Sequence, residues 1–212
     1  MRSFSEIDTV VKRATKGVGF NWGVAEEVGK NIKLLEMFGL PGLKNLNDYF
    51  NSLKSKKFQN LTFISNHNQS KIPYCPIISG ISFLDQVNEL KELINIKIEN
   101  MSYPILFLPF LSRASEVIGK KISFKFDENI FLFNFNQNIY SNYFSNKILE
   151  NAKLTEINFI ENNNTFSQEE WDNLYKLSTN TFVEESDELK KSAAGAGLTC
   201  LLYTSPSPRD FT

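Results

Sequence analysis

The stretch KISFKFDENIFLFNF, residues 121–135, decides the fold class of this 212-residue chain. Its first half alternates Ile122, Phe124 and Phe126 with polar residues, which is the period of a strand with one buried face. Asp-Glu-Asn at 127–129 is typical of a turn. The second half is apolar on both faces, so we expect it to lie in the interior of a sheet. The stretch therefore predicts an antiparallel hairpin.

Further strands are predicted on both sides of this hairpin. LTFIS at residues 61–65 is short and rich in β-forming residues, and residues 94–99 alternate isoleucine with polar residues. PILFLPF at 104–110 has the composition of a fully buried strand, and KLTEINFIE at 153–161 predicts one more. We expect these segments to share one mixed or antiparallel sheet.

Helices are predicted before, between and after the strands. Ser3 with Glu6, and Ser167 with Glu170, have the spacing of capping boxes. In the later helices we expect Trp171 to face the core, and Arg113 and Glu116 to face outward. The predicted helices span residues 3–16, 22–38, 43–54, 82–92 and 112–119, and a last one begins at Ser167.

This order of elements, without strict β-α-β alternation, predicts an α+β fold: a helical N-terminal unit (helix, glycine joint, helix) followed by a sheet with flanking helices. We expect a single domain over residues 1–199, with the helical unit at 1–56 and the sheet-containing part at 57–199.

Composition narrows the functional classes. Charged residues make up 22% of the chain and the net charge is −1, which does not favour nucleic acid as a partner. The longest apolar run, residues 105–111, is too short to span a membrane. Two cysteines do not make a disulfide framework, and the first residues do not resemble a signal peptide. We therefore expect a cytoplasmic protein with no membrane partner.

The last thirteen residues, CLLYTSPSPRDFT at 200–212, differ abruptly from the rest. Written in codons, they resemble a transposase-end adapter used in sequencing libraries. A natural Ser/Pro-rich tail has a similar composition. The match covers the whole stretch, so we interpret it as a non-native tail and leave it out of the fold.

The stretch TKGVGFNWGVAEEVGK, residues 15–30, is the most suggestive of a site. Its Gly17-x-Gly19 spacing follows a predicted helix, whereas a dinucleotide fingerprint follows a strand. We therefore interpret the stretch as two helices meeting at a glycine joint. Gly17 is expected to end the first helix in the left-handed conformation, with positive φ. Gly29 is expected where a side chain would hinder the approach of another element.

The adjacent glutamates of this stretch differ in a helical projection. Glu26 points to solvent, and we expect it to pair with Lys30. Glu27 lies at the margin of the apolar stripe near Asn31, where a carboxylate must be paired or take a raised pKa. Two alternatives stay open for Glu27: a structural carboxylate that caps backbone N–H groups or binds Arg13, or a functional one.

Residues 15–30 also resemble an uncharacterised bacterial family, domain of unknown function three-seven-two-six. Less complete likenesses follow near residues 75–85, where Phe83 departs from the pattern, and 183–197, where Lys190 replaces an arginine. The resemblance spans about residues 3–199 and implies no activity, since none is assigned to the family. The first motif is matched at Gly17, Gly19, Trp22, Gly23, Ala25, Glu26, Glu27, Gly29 and Lys30 and departs at Lys16.

Other groups of residues give weaker evidence for a functional site. His67 and Cys75 are not accompanied by a third, orienting group, so we do not expect them to act as base and nucleophile. One histidine and unclustered cysteines do not favour a metal site. The glycine-rich loop AAGAGL at 193–198 has backbone N–H groups of the kind that hold anions.

The sequence leads to two functional hypotheses, neither of which specifies a catalytic residue or a cofactor. The first is a protein that binds a small polar ligand or metabolite where the glycine joint faces the AAGAGL loop. The alternative is a non-catalytic accessory or oligomerising subunit of a metabolic enzyme, with a protein partner or a second copy. The ligand-binding residues expected under the first hypothesis are Gly17, Gly19, Trp22, Gly23, Glu27, Lys30, Gly195 and Gly197.

If residues 200–212 are non-native, a chain ending at Thr199 will melt at the same temperature as the full chain. The reason is that a passenger segment contributes no packing. Thermal unfolding followed by circular dichroism measures this. A clear loss of stability on truncation would contradict the adapter interpretation.

Overall fold

The computed structural model describes residues 2–181, and the fold is α+β as predicted. The chain divides into two compact units, Met1–Asn162 and Asn163–Thr212. The expectation of one domain over 1–199 reaches beyond the described residues and stays a prediction.

The described helices are α1 (Phe4–Gly17), α2 (Trp22–Met37), α3 (Gly42–Ser52), α4 (Pro76–Leu90), α5 (Leu108–Ile118) and α6 (Gln168–Ser178), with 3₁₀ turns at Pro104–Phe107 and Thr179–Thr181. The described strands are β1 (His67–Asn68), β2 (Asn95–Ser102), β3 (Lys121–Phe126), β4 (Asn129–Asn134), β5 (Asn138–Ser141) and β6 (Asn151–Ile160).

The strands of the first unit form one mixed sheet in the order β1-β2-β6-β3-β4-β5. Only the β1–β2 pair is parallel among these strands. The predicted hairpin is confirmed, with Ile122 opposite Phe133 and Phe126 opposite Asn129. Strand β4 lies between β3 and β5, so its predicted interior position is also confirmed.

A chain of aromatic rings joins the sheet to the helices. Phe83 of α4 meets Phe107 edge-on at 5.8 Å, and Phe107 meets Phe124 of β3 at 5.8 Å. All three rings are fully buried. Aromatic pairs at this separation add stability beyond the area that they bury. The core therefore lies between one face of the sheet and helices α4 and α5.

The predicted strand at 104–110 is wrong. Pro104–Phe107 is a 3₁₀ turn, and Leu108 begins α5. Every residue of the segment is buried, and a fully buried helix has the same continuous apolar sequence as a fully buried strand. Pro109 lies at the start of α5, where its missing N–H does not disrupt the helix.

Two other boundaries also differ from expectation. Residues 61–65 form no regular strand, although Leu61 and Ile64 are buried. Helix α4 begins at Pro76 rather than at Ser82. The Sγ atom of Cys75 accepts a hydrogen bond from the Ile78 N–H at 3.4 Å, so a thiol takes the capping role that sequence rules assign to oxygen side chains.

The glycine joint is confirmed, but the predicted role of Gly17 is wrong. Gly17 is the last residue of α1, and Gly19 has the positive φ, +108°. The Gly19 N–H donates to the Lys16 carbonyl and the Phe20 N–H to the Thr15 carbonyl. This pair of bonds is the Schellman ending, and it places the left-handed residue at Gly19.

The described part of the second unit, residues 163–181, contains α6. Its predicted capping box is present, since Ser167 accepts from the Glu170 N–H while the Glu170 carboxylate accepts from the Ser167 N–H. The expectation that Trp171 faces the core is wrong, because its side chain is 51% exposed and stacks on Phe166 at 5.6 Å.

Helices α4 and α5 pack unusually closely at Gly80. A Cβ atom on Gly80 would lie 2.1 Å from the Cδ2 atom of Phe110, a buried ring. Real Cβ atoms do not approach so closely, so one of the two helices would have to shift. Glycine is therefore required here by contact distance.

We expect Gly80→Ala to lower the free energy of unfolding by about 1–3 kcal/mol, since overpacking a tight core forces side chains and backbone to shift. Gly17→Ala is the matched control. Gly17 has no neighbouring atom within 4 Å of an added Cβ and lies in a helix, so alanine will be neutral or stabilise by up to about 1 kcal/mol. Denaturant unfolding measures both, and equal effects would contradict the close packing.

Candidate functional site

Helix α2 is held against α1 by Gly29. A Cβ atom on Gly29 would lie 2.5 Å from Asp8 Oδ1 and 2.7 Å from Lys12 Cγ. Asp8 and Lys12, one turn apart on α1, form an ion pair of 3.0 Å beside this contact. The expectation that Gly29 permits a close approach is met, and the contact fixes the rotation of α2 about its axis.

This rotation brings Glu27 to α5. Its Oε2 atom accepts a hydrogen bond from Arg113 Nη1, and its Oε1 atom accepts one from Lys30 Nζ at 3.1 Å. Arg113 Nη1 also donates to Asn31 Oδ1 at 3.3 Å. The four side chains Glu27, Lys30, Asn31 and Arg113 are called the Glu27 cluster below.

Three expectations about these residues are wrong. Lys30 pairs with Glu27, three residues before it on the helix, instead of with the exposed Glu26. Arg113 points into the α2–α5 contact rather than outward, since α5 is enclosed by other elements and α2 packs against this face of it. The cation that binds Glu27 is accordingly Arg113 and not Arg13.

The charge of Glu27 is stabilised by its partners. Burial by itself raises the pKa of Glu27, but the hydrogen bonds from Arg113 and then Lys30 outweigh it and hold the pKa below its ordinary value. The side chains of Glu27 and Arg113 are each only 26% exposed. The carboxylate is therefore ionised at neutral pH, which orients the guanidinium.

Asn31 is the most buried member of the cluster, with 2% exposure. Its Oδ1 atom accepts from Arg113, while its Nδ2 group has no hydrogen-bond partner among the described residues. A buried donor without an acceptor is costly. Such an unpaired buried group is unusual in a folded protein, and it marks this part of α2 as a candidate site.

The remaining predicted residues are only partly brought to the cluster. Gly23 lies one turn before Glu27 on the same face of α2. Trp22 is about 140° away from Glu27 around the helix. It is 56% exposed, with Lys16 Nζ 5.9 Å from its ring centre. Gly17 and Gly19 form the joint, and Gly195 and Gly197 lie outside the described residues.

His67 and Cys75 contact different groups. His67 Nε2 bonds the Glu99 carboxylate at 2.8 Å on the sheet. Cys75 is buried and shares a hydrogen bond of 3.0 Å with the Tyr49 hydroxyl. Burial raises the pKa of the Cys75 thiol, and its thiolate is therefore disfavoured. Neither residue has the surroundings of a nucleophile or its base.

Nothing in residues 2–181 groups three or more His, Cys, Asp or Glu side chains in a way that could hold a metal ion. Within the same range no helix is long and apolar enough to cross a membrane.

A cavity of about 400 Å³ opens elsewhere in the first unit. It lies between the turn that follows α2 and the chain that follows β5. The predicted site residues that the structure describes do not line it. No local sequence pattern predicts this cavity, since its walls are separated by about a hundred residues in the chain.

Residues 2–75 match the family model described as "Protein of unknown function (DUF3726)". The resemblance to this family is confirmed. The match covers about a third of the chain and includes α1, the glycine joint and α2. It ends at Cys75, so Arg113 lies outside it. No curated protein and no solved structure matches the chain.

We expect Glu27→Gln to lower the free energy of unfolding at pH 7 by roughly 1.5–3 kcal/mol, because Arg113 and Lys30 lose a charged acceptor. Glu26→Gln is the control, and its exposed side chain predicts a change below about 0.5 kcal/mol. Denaturant unfolding measures both. Equal stabilities of the two variants would contradict a supporting role for the Glu27 pair.

The same comparison has a pH dependence. The folded pKa of Glu27 lies below its unfolded value, so its contribution is complete above the unfolded pKa and is lost as pH falls through the folded one. The gap between wild type and Glu27→Gln will therefore narrow below about pH 4. If the stability difference between wild type and Glu27→Gln instead grows as the pH falls, the prediction that folding lowers the pKa of Glu27 is contradicted.

Proposed function

We propose that this chain binds a small polar metabolite that carries a carboxylate, at the Glu27 cluster. The observation that carries the proposal is the number of cations. Two positive side chains, Arg113 and Lys30, surround one carboxylate. The cluster therefore has a net charge of about +1 in its folded form.

The donors of the cluster are suited to an acidic group. A guanidinium has five N–H donors in a planar fork, and one of its nitrogens serves both Glu27 and Asn31. The ammonium of Lys30 is half-exposed and can turn toward a ligand. In the proposed complex, Glu27 and Asn31 position Arg113, and Arg113 and Lys30 bind the ligand carboxylate.

Space for a ligand is available beside Glu27. A Cβ atom on Gly23 would meet only Asn21 Oδ1, at 3.6 Å. Glycine near the start of a helix has no packing reason here and costs helix stability relative to alanine. We infer that the absent side chain leaves room for the ligand above the first turns of α2. The proposed binding takes place in the cytoplasm, in keeping with the few cysteines of the chain.

Succinate is the probe for this proposal, with sodium chloride of equal ionic strength as the reference. We expect succinate to raise the melting temperature of the wild type above the reference, as a ligand that binds only the folded state must. Lys30→Gln and Gly23→Leu should abolish the rise, because one removes a donor and the other fills the space. Lys54→Gln, the same charge change at an exposed residue at the end of α3, should keep it.

The proposal is overturned if succinate has no effect beyond that of salt on the wild type, or if Lys30→Gln and Lys54→Gln respond alike. The second result would assign the effect to general screening of surface charge.

The accessory or oligomerising subunit is the second candidate, and one observation favours it. The solvent-facing side of the sheet carries exposed apolar side chains. Exposed apolar side chains on one sheet face can add to a contact surface, and here they alternate with charged residues such as Lys125, opposite Ile130. Light scattering on the purified chain tests self-association, and a strict monomer at all concentrations would exclude the oligomerising form. The exposed apolar residues of this side are Ile130, Tyr140, Leu154 and Ile160.

A further inference from the structure

The cavity of about 400 Å³ has the size of a small-molecule site. One wall is the turn Phe38-Gly39-Leu40, in which Gly39 has φ +71°. The other wall is the end of β5 and the chain that follows it, up to Asn146. None of its residues belongs to the Glu27 cluster, so it is a separate place on the protein.

Two hydrogen bonds join α3, which follows the first wall in the chain, to the segment that follows β5. Lys44 Nζ, from α3, donates to the Asn146 carbonyl at 2.8 Å. The Leu149 N–H donates to Asn45 Oδ1, a fully buried side chain, at 3.2 Å. The chain after β5 is therefore held at a fixed distance from the first helices, and the cavity between them is a built feature of the fold.

The cavity is lined by aromatic rings in two different states. Tyr143 is nearly buried, packs on Phe131 at 5.9 Å, and donates its hydroxyl to the Lys147 carbonyl at 3.1 Å. Phe144 is 93% exposed, although it lines the same cavity. A large apolar ring left in water beside a cavity offers a stacking surface for a ligand ring.

The polar groups of the cavity are uncharged. Ser141 Oγ accepts from the Tyr143 N–H at 2.9 Å, and Ser145 Oγ accepts from the Lys147 N–H at 3.2 Å. The Ser141 hydroxyl donates to no other group of the described residues and keeps its proton for a ligand, whereas the Ser145 hydroxyl also bonds the Tyr143 side chain. No lining residue of the cavity is charged. The lining residues therefore supply hydroxyls, an amide and an aromatic face, and Lys44 Nζ contacts them only through the Asn146 carbonyl.

We propose that this cavity binds a neutral polyhydroxylated ring, either a hexose or the ribose of a nucleoside. The ring lies on Phe144 and its hydroxyls bond Ser141, Ser145 and Asn146. The cation that contacts the lining, Lys44 Nζ, already donates to the Asn146 carbonyl, so the lining residues themselves offer no charge to an anionic ligand. This binding is independent of the carboxylate site at the Glu27 cluster.

Saturation-transfer NMR on the full chain tests the proposal with three probes: glucose, adenosine and glucuronate. We expect transfer to the ring protons of glucose, of adenosine or of both, and the pattern tells a hexose site from a nucleoside site. Glucuronate, which differs from glucose by a carboxylate, should bind no better than glucose. No transfer to glucose or adenosine, or a clear preference for glucuronate, overturns the proposal.

Phe144→Ala is the deciding variant, because an exposed ring can be removed without disturbing the core. We expect it to weaken binding of the responding probe by roughly tenfold, as removal of a stacking ring does. Phe63→Ala, at a ring that is 77% exposed and does not line the cavity, should bind as wild type does. Equal affinities of Phe144→Ala and wild type would place the ligand elsewhere and overturn the proposal.

Discussion

The burial of α5 is the constraint on which the rest of the first unit depends. Leu108 and Leu111 are fully buried, and the helix contacts α2, α4, β3 and β4. A helix enclosed in this way leaves little freedom to its neighbours. Gly80 must lack a side chain so that α4 can approach, and α2 must supply an anion, because Arg113 enters the contact with its charge.

The same constraint links the predicted carboxylate to its structural partner. Glu27 and Arg113 are 86 residues apart in sequence, and they meet only when α2 docks on α5. The polar contact thus selects one rotation of α2, which the Gly29 contact with α1 also requires. Two independent contacts that agree on one geometry favour a single packed arrangement.

The sequence predicted best what local rules determine. Ser3 caps α1 as expected, because its side-chain oxygen satisfies the N–H group three residues on, and Asn21 caps α2 in the same way. The β3–β4 hairpin followed from alternation and a turn. Failures occurred where local patterns are ambiguous. The buried run at 104–110 fits a strand or a helix equally well, and β1 and β5 are too short and polar to give a periodic signal.

The same distinction applies to the residues of the candidate site: those set by local helical geometry were predicted, and those set by contacts between distant segments were not. The position of Glu27 at the edge of the core followed from helical geometry, and Gly29 followed with it. Arg113 was missed since it faces α2, a contact that no local pattern in α5 reports, and Asn31 was predicted only as a neighbour of Glu27. No local signal reports a contact between segments so far apart, nor a cavity whose walls come from the end of α2 and the chain after β5.

The two edge strands of the sheet are very short, and their length affects the tendency of the protein to aggregate at high concentration. Strand β1 has two residues and β5 has four, and they form the two edges of the sheet. Few unpaired N–H and C=O groups are therefore presented for pairing with another chain. The apolar β4 and the ten-residue β6 both lie inside the sheet, each with a strand on either side. The strands most prone to amyloid-like stacking are thus shielded by their position in the sheet.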